Sequence, residues 1–289
     1  MDIGIGLPST IPGASGAQIR DWAREAELCG FSALATIDRL RYASFDPLTA
    51  LAGAAAVTER IRLATSVLLP LLHGSAAALA KQVASLDALS GGRVVLGVGA
   101  GARKDDFDLA GVDYSRRGRL LDEQLARMRD LWAPDPADPV GPETTRPGGP
   151  GGPPILVGGT AKAAVRRAVT YGAGWIMGGG TPEQFGETAQ VVRTAWAEAG
   201  RPGRPHLAAL GYYALGPDAR QHALDYLGDY YSFLGAPPEA LADMATLDEQ
   251  AVRGVVSAFD AAGCDELLLF PCDPSLDQVE RLARAAGLR

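Results

Sequence analysis

Histidine and cysteine are scarce in this chain of 289 residues, three of each. The cysteines, Cys29, Cys264 and Cys272, are odd in number and far apart, which excludes a disulfide framework and leaves no Cys/His cluster for zinc. Basic residues are outnumbered, 27 Lys and Arg against 34 Asp and Glu, for a net charge of −7. Nucleic-acid binding needs a basic face, and that balance argues against one. The longest apolar stretches, such as Leu48 to Val57, fall short of the ~20 residues that cross a bilayer. Met1 to Thr10 carries no basic leader, so secretion is not expected and a reducing cytoplasm is. HExxH, GxSxG and P-loop patterns are all missing. What is present is 47% apolar and 21% charged residues, the composition of a globular protein and too hydrophobic for disorder. Glycine (36) and proline (20) are plentiful but have no three-residue period, which excludes collagen.

Strand-like and helix-like segments alternate from end to end. Eight short apolar runs read as strands: Ile3–Pro8, Ala33–Ile37, Ile61–Leu69, Val94–Val98, Ile155–Val157, Trp175–Met177, Leu207–Leu215 and Glu266–Phe270. Most are apolar on both faces, as strands of a helix-covered parallel sheet are. Between them lie amphipathic stretches of helical length, among them Ala17–Cys29, Ala76–Leu89, Arg116–Trp132, Asp218–Phe233 and Leu276–Ala286. Asp46-Pro47 and Thr181-Pro182 read as a cap followed by a first-turn proline, and Thr246 with Glu249 as a capping box. Eight strand–helix units in one chain predict a (β/α)8 TIM barrel, here a single domain over 1–289. A doubly wound open sheet would carry a glycine fingerprint after its first strand, and Leu7-Pro8-Ser9-Thr10 has none. From Ala133 to Pro154 the Pro/Gly-rich run APDPADPVGPETTRPGGPGGPP cannot be a helix, and it reads as an inserted loop after the fourth helix.

In a barrel, chemistry gathers where strands exit. The second strand exits through Thr36-Ile37-Asp38-Arg39, where Asp38 either faces the site or pairs with Arg39 or Arg41. The third carries adjacent hydroxyls, Thr65 and Ser66, that bond either backbone or a cofactor. The fourth ends in Gly97-Val98-Gly99-Ala100-Gly101, whose alternate glycines let a flat ligand approach the backbone. The fifth and sixth exits, Gly158-Gly159-Thr160 and Gly178-Gly179-Gly180, each lead into a helix. Two glycine turns side by side make either a phosphate cup or simply two tight turns, with Thr160 able to cap and Lys162 adding charge. Of the histidines, only His73 lies in an exit loop; His206 precedes the seventh strand and His222 sits within a helix. Tyr212 and Tyr213 alternate faces, one toward the lumen and one under a helix.

The block Gln82 to Arg93 followed by Leu96-Gly97-Val98-Gly99-Ala100-Gly101 resembles the bacterial luciferase-like superfamily. Gly30-Phe31, Ala64 to Val67 and Arg117…Leu125…Leu131-Trp132 fall in matching order. The resemblance implies a TIM barrel that binds FMN or the deazaflavin F420 at its mouth, and a homodimer. It implies cofactor contacts at Asp38, Thr65, Ser66, Gly99, Ala100, Gly101, Gly158, Gly159, Thr160, Gly178, Gly179 and Gly180, and a bulge with a non-proline cis peptide on the third strand; from the residues themselves, no metal site is expected. Asp38 matches the acidic end of the family's second strand and with Arg39 makes the candidate catalytic pair, but Arg39 departs from the Asp-His of many F420-using relatives, and Ala102 stands where their fourth loop has a carboxylate. Three activities are compatible with it: F420-dependent hydride transfer with a small organic substrate, FMN-dependent monooxygenation, or cofactor binding without turnover. F420 carries extra carboxylates on its tail, which would require local cations in an acidic protein. Arg39, Arg41, Arg103, Lys104, Arg116 and Arg117 lie in suitable loops, unless Asp38, Asp105, Asp106 and Asp108 neutralise them.

Overall fold

The computed structural model describes residues 1–133 and 151–288. The first half runs β1 (Asp2–Gly6), α1 (Gly16–Leu28), β2 (Ala33–Thr36), α2 (Pro47–Ala55), β3 (Arg62–Leu68), α3 (Ala76–Leu89) and β4 (Val94–Val98). It continues through α4 (Lys104–Ala110), α5 (Arg117–Trp132), β5 (Ile155–Gly158), α6 (Lys162–Tyr171), β6 (Gly174–Met177) and α7 (Pro182–Glu198). Then come β7 (His206–Tyr213), α8 (Ala219–Tyr230), α9 (Pro238–Ala242), β8 (Ala245–Thr246), α10 (Glu249–Ala261), β9 (Glu266–Pro271) and α11 (Asp277–Ala286).

Strands β1 to β6 pair in chain order, β1 also pairs with β9, β9 with β7, and β6 with β7, so the ring closes. Every pairing is parallel. Eight strands therefore form the expected (β/α)8 barrel, and the two-residue β8 only extends the end of β7 beyond it. All eight predicted strands are present, with Val94–Val98 matched at both ends and no other bound shifted by more than two residues. The first ends at Gly6 because Pro8–Thr10 turns into a 3-10 helix. The short α4 and α9 were not predicted, being too brief to show a helical period. Most of the expected Pro/Gly-rich loop, 134–150, lies outside the described residues.

Caps explain several helix starts. Ser15 and Gln18 form a reciprocal capping box at α1, and Gly30 (φ 83°) follows that helix in the left-handed region. Asp46 accepts from Thr49 N ahead of Pro47, as the sequence predicts. At α10 the prediction fails: Asp248 is the cap, accepting from Ala251 N, while Thr246 belongs to β8.

Two apolar layers hold the barrel. Between strands and helices lie Leu34, Leu63 and Leu96, each fully buried and each worth roughly 2 kcal/mol of burial. Inside the ring, Ala33, Ala35, Ala64, Leu210, Tyr212, Leu268 and Phe270 pack together. Volume is shared unequally across this lumen. A Cβ on Gly4 would lie 2.4 Å from Leu268, and one on Gly6 2.2 Å from Phe270, so β9 fills the space that β1 leaves. At the amino end, Glu266 is 3% exposed and its Oε1 accepts from Ser32 Oγ (2.6 Å) and Arg62 Nη2 (2.8 Å). His206 Nε2 stands 3.5 Å from its other oxygen, and Arg62 also holds Asp2 at 2.8 Å. Burial pushes the Glu266 carboxyl up, but His206, Arg62 and Ser32 together hold it below the ordinary carboxylate value.

Candidate active site at the barrel mouth

The exits of β2 and β3 are tied together by one carboxylate. Asp38 is 5% exposed, and its Oδ2 accepts from Leu69 N (2.8 Å) and from His73 Nε2 (2.8 Å). Neither Arg39 nor Arg41 pairs with it. The β3 strand carries a register shift between Thr65 and Leu68 and a cis Ser66–Val67 peptide, the feature implied by the family resemblance. Thr65 Oγ1 donates to Gly97 O (2.7 Å), whereas Ser66 Oγ is buried with no partner among the described residues. Ser9 Oγ and Thr36 Oγ1, at the exits of β1 and β2, are likewise buried and unpartnered. Buried hydroxyls ordinarily find acceptors, so three on adjacent strand ends mark this side of the mouth.

Arg39 turns away from Asp38. Its Nε bonds Asp106 Oδ2 (2.9 Å), and Asp106, fully buried, also accepts from Leu40 N (3.1 Å) and Arg41 N (2.6 Å). The guanidinium lies 5.2 Å from the Tyr42 ring centre and 5.5 Å from that of Tyr230. Arg103 donates to Tyr230 O and stacks 4.0 Å from the Phe233 ring centre. Lys104 pairs with Asp108 at 2.6 Å, and Arg117 donates to Gly101 O at 3.0 Å. Four of the six basic residues predicted to gather here are thus held by the protein itself. Arg41 and Arg116 are exposed and have no ion-pair partner among the described residues.

The β4 glycines make room for protein. A Cβ on Gly97 would lie 2.0 Å from Thr65 O, and one on Gly99 2.8 Å from Val67. Gly101 backs onto Phe107, while Ala100 is half-buried. Tyr212 faces the lumen and bonds Tyr231 OH (2.7 Å), and Tyr213 packs under α11, donating to Gln278 O (3.3 Å). Burial pushes the phenols of both up. The sequence reading missed the aromatic wall of Tyr226, Tyr230 and Tyr231 beside Tyr212. Its signal is the i, i+4 spacing of the first two on α8.

The two glycine-rich turns differ. At α7, Thr181 and Gln184 form a reciprocal capping box. At α6 the cap position is Ala161, not the predicted Thr160, and no side chain bonds the first N–H groups. Gly159, Thr160, Ala161 and Lys162 are all exposed, and Trp175 Nε1 pins the turn by donating to Gly159 O (2.8 Å). Gly159 has φ +111°, and a Cβ there would sit 3.3 Å from Ala164. Exposed donors at a helix start, a nearby lysine and a backbone only glycine adopts readily make an anion cradle. No group of His, Cys, Asp and Glu among the described residues could hold a metal.

A model of luciferase-like monooxygenases matches residues 1–265. The chain belongs to the luciferase-like monooxygenase family, a family of oxidoreductases. Among luciferase-like relatives, an uncharacterized protein of Mycobacterium tuberculosis is 39% identical over 178 residues, 58% of this chain and 61% of its own length. The chain therefore spans less than two thirds of the length of that curated relative. A 4-hydroxyprotoasukamycin monooxygenase of Streptomyces nodosus subsp. asukaensis is 29% identical over 249 residues, 73% of this chain and 65% of that protein. The luciferase-like barrel also superposes on an F420-dependent secondary alcohol dehydrogenase in complex with an F420-acetone adduct, with a TM-score of 0.79, 19% identity, and coverage of 100% of this chain and 99% of that one. No helix among the described residues is long and apolar enough to cross a membrane.

Proposed function

We propose that this luciferase-like chain, a single barrel unit over 1–289, is an F420-dependent oxidoreductase that moves hydride to or from a small organic substrate. The observation that carries the reading is the uncapped start of α6, with its exposed N–H groups, the Gly159 turn and Lys162. A phosphate fits that donor set, because helix N-termini and lysine both favour anions. The backbone of Gly158, Gly159 and Thr160 holds the phosphate, and Gly178 to Gly180 flank it. The orphaned Ser66 Oγ supplies a buried donor for the ring system, beside Thr65, Asp38 and the Gly99–Gly101 backbone. The bound cofactor supplies the redox chemistry, and the protein orients it and excludes water. Asp38 Oδ1 takes no partner among the described residues, which leaves it to accept from a ligand. Arg39, committed to Asp106, shapes the wall instead of meeting substrate.

F420 rather than FMN is supported by three exposed cations without ion-pair partners among the described residues, Arg41, Arg116 and Lys162, which suit the carboxylates of its tail. The second reading is an FMN-dependent monooxygenase. It is favoured by the engagement of Arg39, Arg103, Lys104 and Arg117 within the protein, which thins the field available to a polyanionic tail. Titrating the cofactor-free protein with F420 and with FMN separates the two. F420 should bind, and its affinity should fall with added salt more steeply than that of FMN. Tight FMN binding with no measurable F420 affinity, and oxygen uptake with reduced FMN, would replace the first reading by the second.

A further inference from the structure

We propose that His73 is a positioning residue of the mouth: through Asp38 it locks the exit of β3, and so sets how firmly the cofactor is held. The inference rests on the reading that a flavin-type cofactor occupies this mouth.

The geometry is a three-way tie. A single oxygen, Asp38 Oδ2, takes both the Leu69 amide and His73 Nε2, each at 2.8 Å. Leu69 and His73 bracket the 3-10 turn Pro70–Leu72, so the carboxylate from the β2 exit clamps both ends of one loop. That loop follows directly on Ser66 and Val67, and the Leu68 carbonyl accepts from Gly99 N (2.9 Å), which couples it to the β4 glycines. From outside, Gln124 Nε2 on α5 donates to Pro70 O (3.0 Å). The clamp therefore stands behind the strand ends where the ring system is proposed to lie.

Charge decides how tight the clamp is. The charged groups facing His73 are Asp38 from the β2 exit and Asp46 at the start of α2, whose Oδ2 lies 3.8 Å from Nδ1. From α5, the uncharged Gln124 bonds Pro70 O, and Glu123, which lies beside Leu71 and Gly74, is paired with Arg119 at 2.6 Å. Nε2 must carry a proton to donate to Asp38. A neutral ring then turns the lone pair of Nδ1 toward the Asp46 carboxylate, whereas an imidazolium attracts both acids. Burial alone would push the imidazole down, but the bond and charge of Asp38 and the charge of Asp46 carry it above its ordinary value. A group raised on folding stabilises fully below its unfolded value, about 6.5, and loses that contribution as pH rises through the folded one. The clamp is thus tight below about pH 6.5 and loosens as pH rises through the raised folded value.

The test compares wild type, His73→Gln and His73→Ala across about pH 5.5 to about pH 9, with two readouts. The first is the affinity of each protein for F420 and for FMN, followed by fluorescence. The second is amide-exchange protection at Leu69 in the cofactor-free protein. Wild-type affinity should weaken roughly tenfold as pH rises, and Leu69 protection should fall over the same range. His73→Ala should be weak throughout and lose the pH step. His73→Gln retains an amide donor in place of Nε2 but cannot titrate. It should recover most of the affinity and remain flat with pH, a pattern that a general packing defect would not produce. A His73→Gln protein with the wild-type pH step, or Leu69 protection unchanged in His73→Ala, would overturn the proposal. If neither cofactor binds wild type, the cofactor reading falls, while Leu69 exchange still decides whether His73 holds the loop.

Discussion

At the amino end of the barrel Glu266 is buried among three partners, Ser32, Arg62 and His206, and Arg62 reaches a second acid, Asp2. At the carboxyl end, among the described residues, the start of α6 has donors that no side chain accepts, and Ser9, Thr36 and Ser66 keep hydroxyls without acceptors. The buried carboxylate at one end is fully partnered, although Arg62 Nε beside it has no partner among the described residues, whereas three buried hydroxyls stand open together at the other. Buried polar groups that lack partners cost stability, so a fold retains them where a ligand completes them. Within the open end the contrast repeats on a smaller scale, since α7 is closed by Thr181 and Gln184 while its neighbour α6 is not.

The largest expected effect lies at the closed end. Glu266→Ala leaves Arg62 and His206 facing an empty site and should cost about 3 kcal/mol in denaturant unfolding, with cofactor affinity nearly unchanged. Because the Glu266 carboxyl is held below its ordinary value, its contribution is complete above about pH 4.5 and vanishes as pH falls through the folded value. The wild type should therefore lose more stability on acidification than Glu266→Gln does. Equal acid sensitivity would break the contrast between the two ends.

Next in size is Gly159→Val, which forces a side chain into φ +111° and against Ala164. Cofactor affinity should drop roughly 100-fold, measured by titration, with the barrel intact by circular dichroism. Ala161→Asp sharpens the argument, because it supplies the cap that α6 lacks. Stability should rise by about 1 kcal/mol while affinity for the cofactor falls roughly tenfold, as the new carboxylate takes the donors and repels the phosphate. Opposite signs in one variant distinguish a helix start kept open for an anion from one that is merely poorly capped. The smallest effect is expected at Thr181→Ala, a loss of about 1 kcal/mol in stability with affinity changed less than about twofold.

The architecture was legible because strands buried on both faces read as short apolar runs and their helices as periodic ones, and this pattern survives errors at the ends. Local caps were legible where cap and proline adjoin, as at Asp46-Pro47 and Thr181-Pro182. They misled where two candidates sit close together, since Thr246 was already engaged in β8 and left the role to Asp248. The contacts that organise the mouth were not legible. Asp38 meets His73 across 35 residues and Arg39 meets Asp106 across 67, and no local period relates either pair. Nor does spacing tell that Gly97 and Gly99 make room for Thr65 and Val67 of the neighbouring strand.

The uneven sharing of the lumen has a consequence for how such a barrel can change over generations. Gly4 and Gly6 on β1 lie against Leu268 and Phe270 on β9, so bulk added to one strand has nowhere to go until bulk leaves the other. Gly6 and Phe270 form a linked pair in which a side chain on β1 fits only where the ring has become smaller, whereas a Cβ on Gly4 would also lie 3.1 Å from the Ala33 carbonyl, which a smaller Leu268 does not relieve. Descendants of this sequence can therefore drift at Gly6 only after Phe270 has shrunk, and the order of the two events is fixed by the packing.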